Sequence, residues 1–465
     1  MRAIADPSNA LGLGLASIRS QFQIPETFPP TVLAAAEKAS RRLPAEHVDR
    51  TNRPFVTLDP ASSTDLDQAF TIERDGADLL LLYAIADVAW FVEDGDAIDE
   101  EAWRRGTTQY LPDGKAALYP PVLSEGAASL LPDGPRPAVI FTVRIAVDGS
   151  VHLDGAERAI IRSRAKLAYD SVPSSALPPD FAELASRIQR AEKERGAGRV
   201  NPPAQELAAI GDGRYELLFR PPLESEVRNA ALSLATNLAI ADVLQAHQSG
   251  LFRVMAEPDD RAVGRLRHTA NGLGLQWPAK APLAEFERSL NPADPRQATF
   301  MLAIQRASQG ASYVPFREGE IPWHAAVAAT YAHATAPLRR LADRYVVRAT
   351  LAIANGRSVP PAVTDAFERL PAVMARADAL GSQIERAAID LAEAVLLHGQ
   401  DGKTFQAVAT EVDHRGVRIQ LCDLPVAARV SAEGVKAGDR LQVTLVGADP
   451  DNRTVTFAAS PISAL

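Results

Sequence analysis

One stretch constrains this chain more than any other: the apolar run Phe55, Val56, Leu58 ends on Asp59, and Pro60-Ala61-Ser62-Ser63-Thr64 then leads into Asp65 and Asp67. The apolar run reads as a strand that delivers Asp59 to its end before the loop turns. Side chains of an extended segment alternate with period two, so Asp65 and Asp67 fall on one side of it. Hard oxygen ligands gathered this closely repel one another unless a divalent cation neutralises them. Mg²⁺ or Mn²⁺ is the usual ion where phosphates supply the remaining ligands. A solvated acidic turn has the same spacing, so the motif alone leaves both readings open.

The rest of the chain has room to bury such a unit, since 465 residues, 46% of them hydrophobic, suit two or three domains with a substantial core. Cys422 is the only cysteine, which excludes an internal disulfide framework and suits a reducing cytoplasm. The N-terminus has no continuous apolar run, and no span of about 20 apolar residues occurs anywhere, so neither secretion nor membrane insertion is expected. A net charge of −9 excludes an indiscriminate polyanion binder. Any nucleic-acid contact has to come from local basic patches.

Residues 1–47 hold two short helical candidates, 11–21 and 30–42, separated by Pro25, Pro29 and Pro30. A helix-turn-helix and a packing appendage both fit. From about 53 to 151 the pattern is strand-rich, with buried runs at 79–86 and 138–146. Helices follow at 181–195, 227–247, 260–271, 297–308, 337–355 and about 372–398. On the last, Leu380, Ile384, Leu391 and Val395 make the core stripe and Glu385 sits at its edge. After Gly399 and Gly402 come short alternating strands, Val417/Ile419/Leu421, Leu441/Val443/Leu445 and Val455/Phe457, which fit a five-stranded OB-type barrel. The expected class is α+β: a mixed sheet packed with helices, between a small N-terminal helical module and a C-terminal barrel.

The segment from Phe55 to Ala69 resembles the metal-binding signature of the RNase II/RNase R (RNB) family of processive 3′→5′ exoribonucleases. Further blocks follow in that family's order. Tyr83-Ala84-Ile85-Ala86-Asp87-Val88 is similar to its next strand, and the run from Asp99 to Tyr110-Leu111-Pro112 is similar to its helix and nucleotide-clamping loop. Ala165-Lys166-Leu167-Ala168-Tyr169-Asp170 resembles its second tyrosine motif, and Thr335-Ala336-Pro337-Leu338-Arg339-Arg340-Leu341-Ala342-Asp343 its arginine helix. The resemblance spans roughly residues 50–400. It implies a helical module over 1–47, an RNB catalytic domain over 50–399 and an S1/OB-like RNA-binding barrel over 402–465. It also implies a cytoplasmic, monomeric enzyme that cuts single-stranded RNA from its 3′ end to nucleoside 5′-monophosphates.

Carried over residue by residue, the resemblance makes Asp59, Asp65, Asp67 and Gln68 the ligands of Mg²⁺ (or Mn²⁺) and assigns catalysis to Asp67, Arg339, Tyr169 and Glu385. RNA would be held by Tyr110, Tyr169, Arg339 and Arg340. Each has a plainer reading: core tyrosines for Tyr110 and Tyr169, an exposed helix carboxylate for Glu385, and an i,i+4 pair with Asp343 for Arg339. Thr335 is expected to cap a helix whose first turn contains Pro337, so that backbone N–H groups face phosphate beside Arg339. Arg344 and Arg348 are expected on a solvated face, and His324 and His333 have no spacing that suggests zinc. In the barrel, aromatics are scarce, so Lys403, Arg415, Arg418, Arg429 and Arg440 are the expected phosphate contacts.

Three departures from the family pattern matter. Gln68 stands where the family usually has a second Asp, removing one charge. Ala230 and Ala231 stand at two acidic positions of a family helix, with Glu224 and Glu226 as nearby stand-ins. Residues 1–47 are too few for the paired cold-shock barrels that usually roof the family's channel, so structured RNA with a short 3′ overhang is an expected substrate. A catalytically silent RNA-binding relative is the alternative that the first two departures keep open.

Overall fold

The computed structural model describes residues 4, 6, 8–198, 204–211, 213–220, 222–292, 294–308, 310–413 and 415–459. Its centre is a mixed sheet of five strands in the order Val48–Asp49, Val151–Ile161, Arg136–Ile145, Asp78–Ala86, Gln68–Asp75. All neighbours run antiparallel except Val48–Asp49, which is parallel to Val151–Ile161. The inner strands Asp78–Ala86 and Arg136–Ile145 are covered on both faces. Their continuous apolar composition follows from that position. Helix Glu224–Ala246 packs across the sheet, with Leu341–Ala354 against it.

A short strand, Thr57–Asp59, pairs in parallel with Lys166–Ala168 outside this sheet. That pairing brings Tyr169 beside Asp59, whose carbonyl accepts the Tyr169 N–H at 3.2 Å. The Asp67 carbonyl accepts the Ala86 N–H at 2.8 Å, so the carboxylate loop is sewn to the sheet at its far end.

The N-terminal helices enter two different cores. Ala10–Gln21 buries Leu11, Leu15 and Ile18 against Ile384, Ala388 and Leu391 of the long helix Pro361–Leu397. A Cβ on Gly14 would come within 2.5 Å of the Leu391 side chain, so the absence of one permits the close crossing. Pro30–Ser40 instead places Val32, Ala36 and Ala39 in the main core. Each helix is a part of the body it lies on.

The long helix starts earlier than expected. It runs from Pro361 through Pro371 to Leu397 without a break. Proline inside a helix removes a hydrogen bond and costs about 3 kcal/mol, but Val363, Phe367, Leu370 and Met374 all remain buried in the main core around it. A hairpin, Ala204–Gly211 with Arg214–Arg220, interrupts the helical half. Its Leu207, Tyr215 and Leu217 join the same core as the first helix.

At the C-terminus five strands form a curled sheet in the order Ala427–Val430, Gly416–Leu421, Thr404–Asp413, Arg440–Asp449, Thr454–Ala459, with the outer two in contact. Phe405 and Phe457 meet edge to face inside it, so neither is presented for stacking. Among the described residues no helix is long and apolar enough to cross a membrane.

Candidate active site

The sheet and the helices above it converge on Asp67. The residue is 2% exposed. Its Oδ1 accepts the backbone N–H of Leu338 at 2.7 Å, and its Oδ2 the Nε of Arg339 at 2.5 Å. Arg339 lies in a turn ahead of the helix, which begins at Leu341 and not at Pro337. The turn's donors are already taken: Asp343 accepts the Ala336 N–H at 2.8 Å, and the Leu341 N–H bonds to Gly106. Thr335, expected as the cap, faces Ser233 at 2.9 Å instead. The helix start therefore offers phosphate fewer backbone donors than the spacing implied. Asp343 binds Arg340 through both oxygens, at 2.7 and 2.8 Å, so the i,i+4 pair with Arg339 does not form.

Asp59 sits at the end of its strand, 8% exposed, and its Oδ2 is buried with no hydrogen-bond partner. Burial pushes its carboxyl up to about 7 against the pull of Arg339, with Asp67 and Asp65 adding to the rise. Burial likewise raises Asp67 to about 6, opposed by Arg339. Two carboxyls buried side by side in this way are suited to a cation. Asp65 is differently placed, with its Oδ1 2.8 Å from Lys115 Nζ and its Oδ2 accepting from Tyr110 at 3.2 Å. The Gln68 amide oxygen accepts the Tyr83 hydroxyl at 2.5 Å. Among the described residues no three His, Cys, Asp or Glu side chains form an ion-holding group. Asp59 fits the charge and the unpaired oxygen of a divalent site, with the buried Asp67 carboxylate beside it held by Leu338 and Arg339; Asp65 and Gln68, as placed, have other partners.

Tyr110, Arg339, Arg340 and Glu385 line one cleft of about 830 Å³, together with Gln205, Glu206 and Leu207 of the hairpin. Tyr110 is 53% exposed there. Glu385 projects from the long helix one residue after the buried Ile384. The tyrosine and arginine segments are joined through backbone: Thr108 N–H donates to Arg339 O at 2.9 Å, and Thr107 bridges Arg340. Gly106 makes the turn possible, having a positive φ and a position where a Cβ would come within 2.9 Å of Ala377.

Tyr169 stands beside Asp59 and does not line that cleft. Its hydroxyl accepts from Asn229 Nδ2 at 2.9 Å, and burial pushes it up to about 12. Asn229 also reaches the Leu58 carbonyl at 3.2 Å. Asn229, Ser233 and Asn237 recur at i, i+4 and i+8, a polar stripe along the helix that faces Tyr169 and Thr335. That stripe was the readable signal the motifs passed over. The stand-ins for Ala230 and Ala231 are occupied, Glu226 by Arg220 and Glu224 by Arg228.

Other arginines also differ from expectation. Arg344 points into the protein and is buried against Asp99 and Tyr345, whereas Arg348, half-buried, pairs with Asp94 at 2.5 Å at the surface. Arg253 lines the cleft, pairing with Asp378 at 3.0 Å over the Tyr313 ring. As a single basic residue in a strand it carries no sequence signal. His333 is a half-buried partner of Tyr313 at 2.8 Å, its pKa lowered by desolvation and by Arg340. In the barrel, Arg429 and Arg415 both pair with Asp413.

Comparison with known proteins bears on this arrangement. A model of the RNB domain matches residues 47–356, and one of the RNase II-type exonuclease C-terminal S1 domain matches 403–460. Ribonuclease R of Aquifex aeolicus is 27% identical over 431 residues, 86% of this chain and 60% of its own length. Ribonuclease R of Escherichia coli is 24% identical, over 97% of this chain and 62% of its own. The chain thus spans about three fifths of those relatives. The structure of Mycoplasma genitalium RNase R in complex with ribose-methylated single-stranded RNA superimposes with a TM-score of 0.85 at 21% identity, covering 99% of this chain and 79% of that one.

Proposed function

The chain belongs to the RNB domain family, and from that premise we propose that it is a metal-dependent exoribonuclease that degrades single-stranded RNA from the 3′ end to nucleoside 5′-monophosphates. The observation that carries the reading is the buried Asp59–Asp67–Arg339 group at the edge of a cleft lined by Tyr110 and Glu385. Asp59 and Asp67 would hold Mg²⁺ or Mn²⁺, with Asp65 and Gln68 close by. A bound ion would polarise the scissile phosphate and lower the pKa of a water.

The chain's own groups do the rest. Asp67 fixes the Arg339 guanidinium by one edge and leaves its other donors for a phosphate oxygen. Tyr110 offers a half-exposed ring on which a base can stack, and stacking tolerates every base. Arg340, locked by Asp343, adds positive charge along the cleft. Tyr169, with its hydroxyl held by Asn229 and its proton retained by burial, donates beside Asp59 to the sugar or phosphate.

The test is direct. A 5′-labelled oligoribonucleotide incubated with the protein and Mg²⁺ or Mn²⁺ is expected to give a ladder shortened from the 3′ end and mononucleotide product. Tight binding with no shortening in either metal would instead establish the silent RNA-binding reading. We expect hairpins with short 3′ overhangs to be entered as well, and digestion that always halts several nucleotides before the stem would remove that part.

A further inference from the structure

Resting on the reading that Asp59 and Asp67 take up a divalent ion, we propose that Lys115 is a positioning residue: a built-in cation that keeps Asp65 out of the ion's ligand set and ties it to the hairpin carrying Tyr110. The two strands of that hairpin are Gln109–Leu111 and Gly114–Ala116, and Tyr110 pairs directly with Lys115. Directly opposed residues of an antiparallel pair share a face. The ring and the ammonium therefore leave the hairpin side by side, and both end on Asp65. Nζ lies 2.8 Å from Oδ1, and the Tyr110 hydroxyl donates to Oδ2 at 3.2 Å. Both carboxylate oxygens are thereby engaged.

Two further observations hold Asp65 where it is. Its flanking peptides are pinned by Ser129, whose Oγ accepts the Leu66 N–H at 2.9 Å and donates to the Thr64 carbonyl at 2.7 Å. Lys115 itself is held from behind by Glu125 at 3.0 Å, on the π-helical turn Leu123–Ala127. A divalent ion approaching Asp65 competes with an ammonium already in contact, and the backbone cannot swing the carboxylate away from it. An ion approaching Asp59 meets a buried oxygen with no partner. The contrast separates Asp59, which offers the ion an unpaired oxygen, from Asp65, which anchors the tyrosine hairpin. Gln68, being neutral, adds no charge that would draw a second ion in.

The experiment is a Mn²⁺ titration of the full chain, read by the electron paramagnetic resonance of the free ion, with thermal melting to confirm folding. Asp59→Asn is expected to weaken binding by more than about tenfold, and Asp65→Asn by less than about threefold. Lys115→Met should tighten binding several-fold, and in that background Asp65→Asn should now cost about tenfold or more, because the released carboxylate has joined the ion. Lys115→Arg keeps the tether and should bind as the native chain does. Removal of the Lys115 positive charge alone would tighten binding equally whether or not Asp65 had been replaced, so the double variant separates the two causes. Equal damage from Asp59→Asn and Asp65→Asn with Lys115 in place would overturn the proposal. Failure of the native chain to bind Mn²⁺ at all would remove the metal reading and the proposal with it. An independent readout is metal-free affinity for a short oligoribonucleotide, which Lys115→Met should lower by loosening Tyr110.

Discussion

At the scale of single residues, Asp67 has two tasks that one substitution separates. Asp67→Asn leaves one acceptor oxygen for two donors, so either the Leu338 N–H or the Arg339 Nε meets an amide N–H₂. Melting should report a loss of about 1–3 kcal/mol, although repulsion among the carboxylates alone would have favoured little change. Single-turnover cleavage should fall by about a thousandfold or more while single-stranded RNA affinity stays within about tenfold; near-normal turnover would take Asp67 out of the chemistry. Asn229→Ala frees the Tyr169 hydroxyl. It should reduce the preference for RNA over a DNA oligomer of the same sequence, because the 2′-OH is the group that distinguishes them, and an unchanged ratio of affinities would show that Tyr169 is not what senses it. The carboxylate spacing was legible because strand and loop rules are local. The partner of Arg339 was not, since Asp67 lies 272 positions away while the nearby Asp343 is claimed by Arg340.

At the scale of elements, the long helix joins the catalytic body to the barrel through Glu393. Its Oε1 accepts from Gln205 Nε2 at 2.6 Å and from the Ala427 N–H at 2.9 Å, so helix, hairpin and barrel meet on one carboxyl. Burial pushes that carboxyl from 4.5 up to about 7. The folded chain keeps this proton where the unfolded chain has lost it. The stabilisation is fully present below the unfolded value and disappears as pH rises through about 7. Melting temperature should therefore decline between about pH 5 and about pH 8, and Glu393→Gln, which keeps the accepting oxygen, should flatten that decline. An identical slope in the variant would show that other groups set it. Most helices and the barrel strands could be read from periodicity, and 181–195 agrees to the residue with Phe181–Arg195. Where reading failed, local rules met tertiary packing: the helix expected from about 372 starts at Pro361, and buried neighbours on both sides carry it through Pro371.

At the scale of the whole molecule, the helices of residues 1–47 are shared between two cores, so their loss is a folding event before it is a change of substrate range. Leu15→Ala should cost about 2–5 kcal/mol, and a chain lacking 1–47 should melt far lower or fail to fold. A deletion that melts normally and changes only duplex digestion would return the segment to the status of an appendage. Amphipathic patterning revealed both helices but could not say which surface each one faces, because that depends on residues such as Leu391, hundreds of positions on. The backbone bridge between Thr107–Thr108 and Arg339–Arg340 reaches beyond stability, for it makes the aromatic and cationic contacts a single jaw. A rigid jaw behaves as a caliper. It gauges the distance from base to phosphate and is indifferent to which base is gripped, so an oligoribonucleotide with one extra methylene in its backbone near the 3′ end should stall digestion, while exchanging the terminal base should leave the rate nearly unchanged.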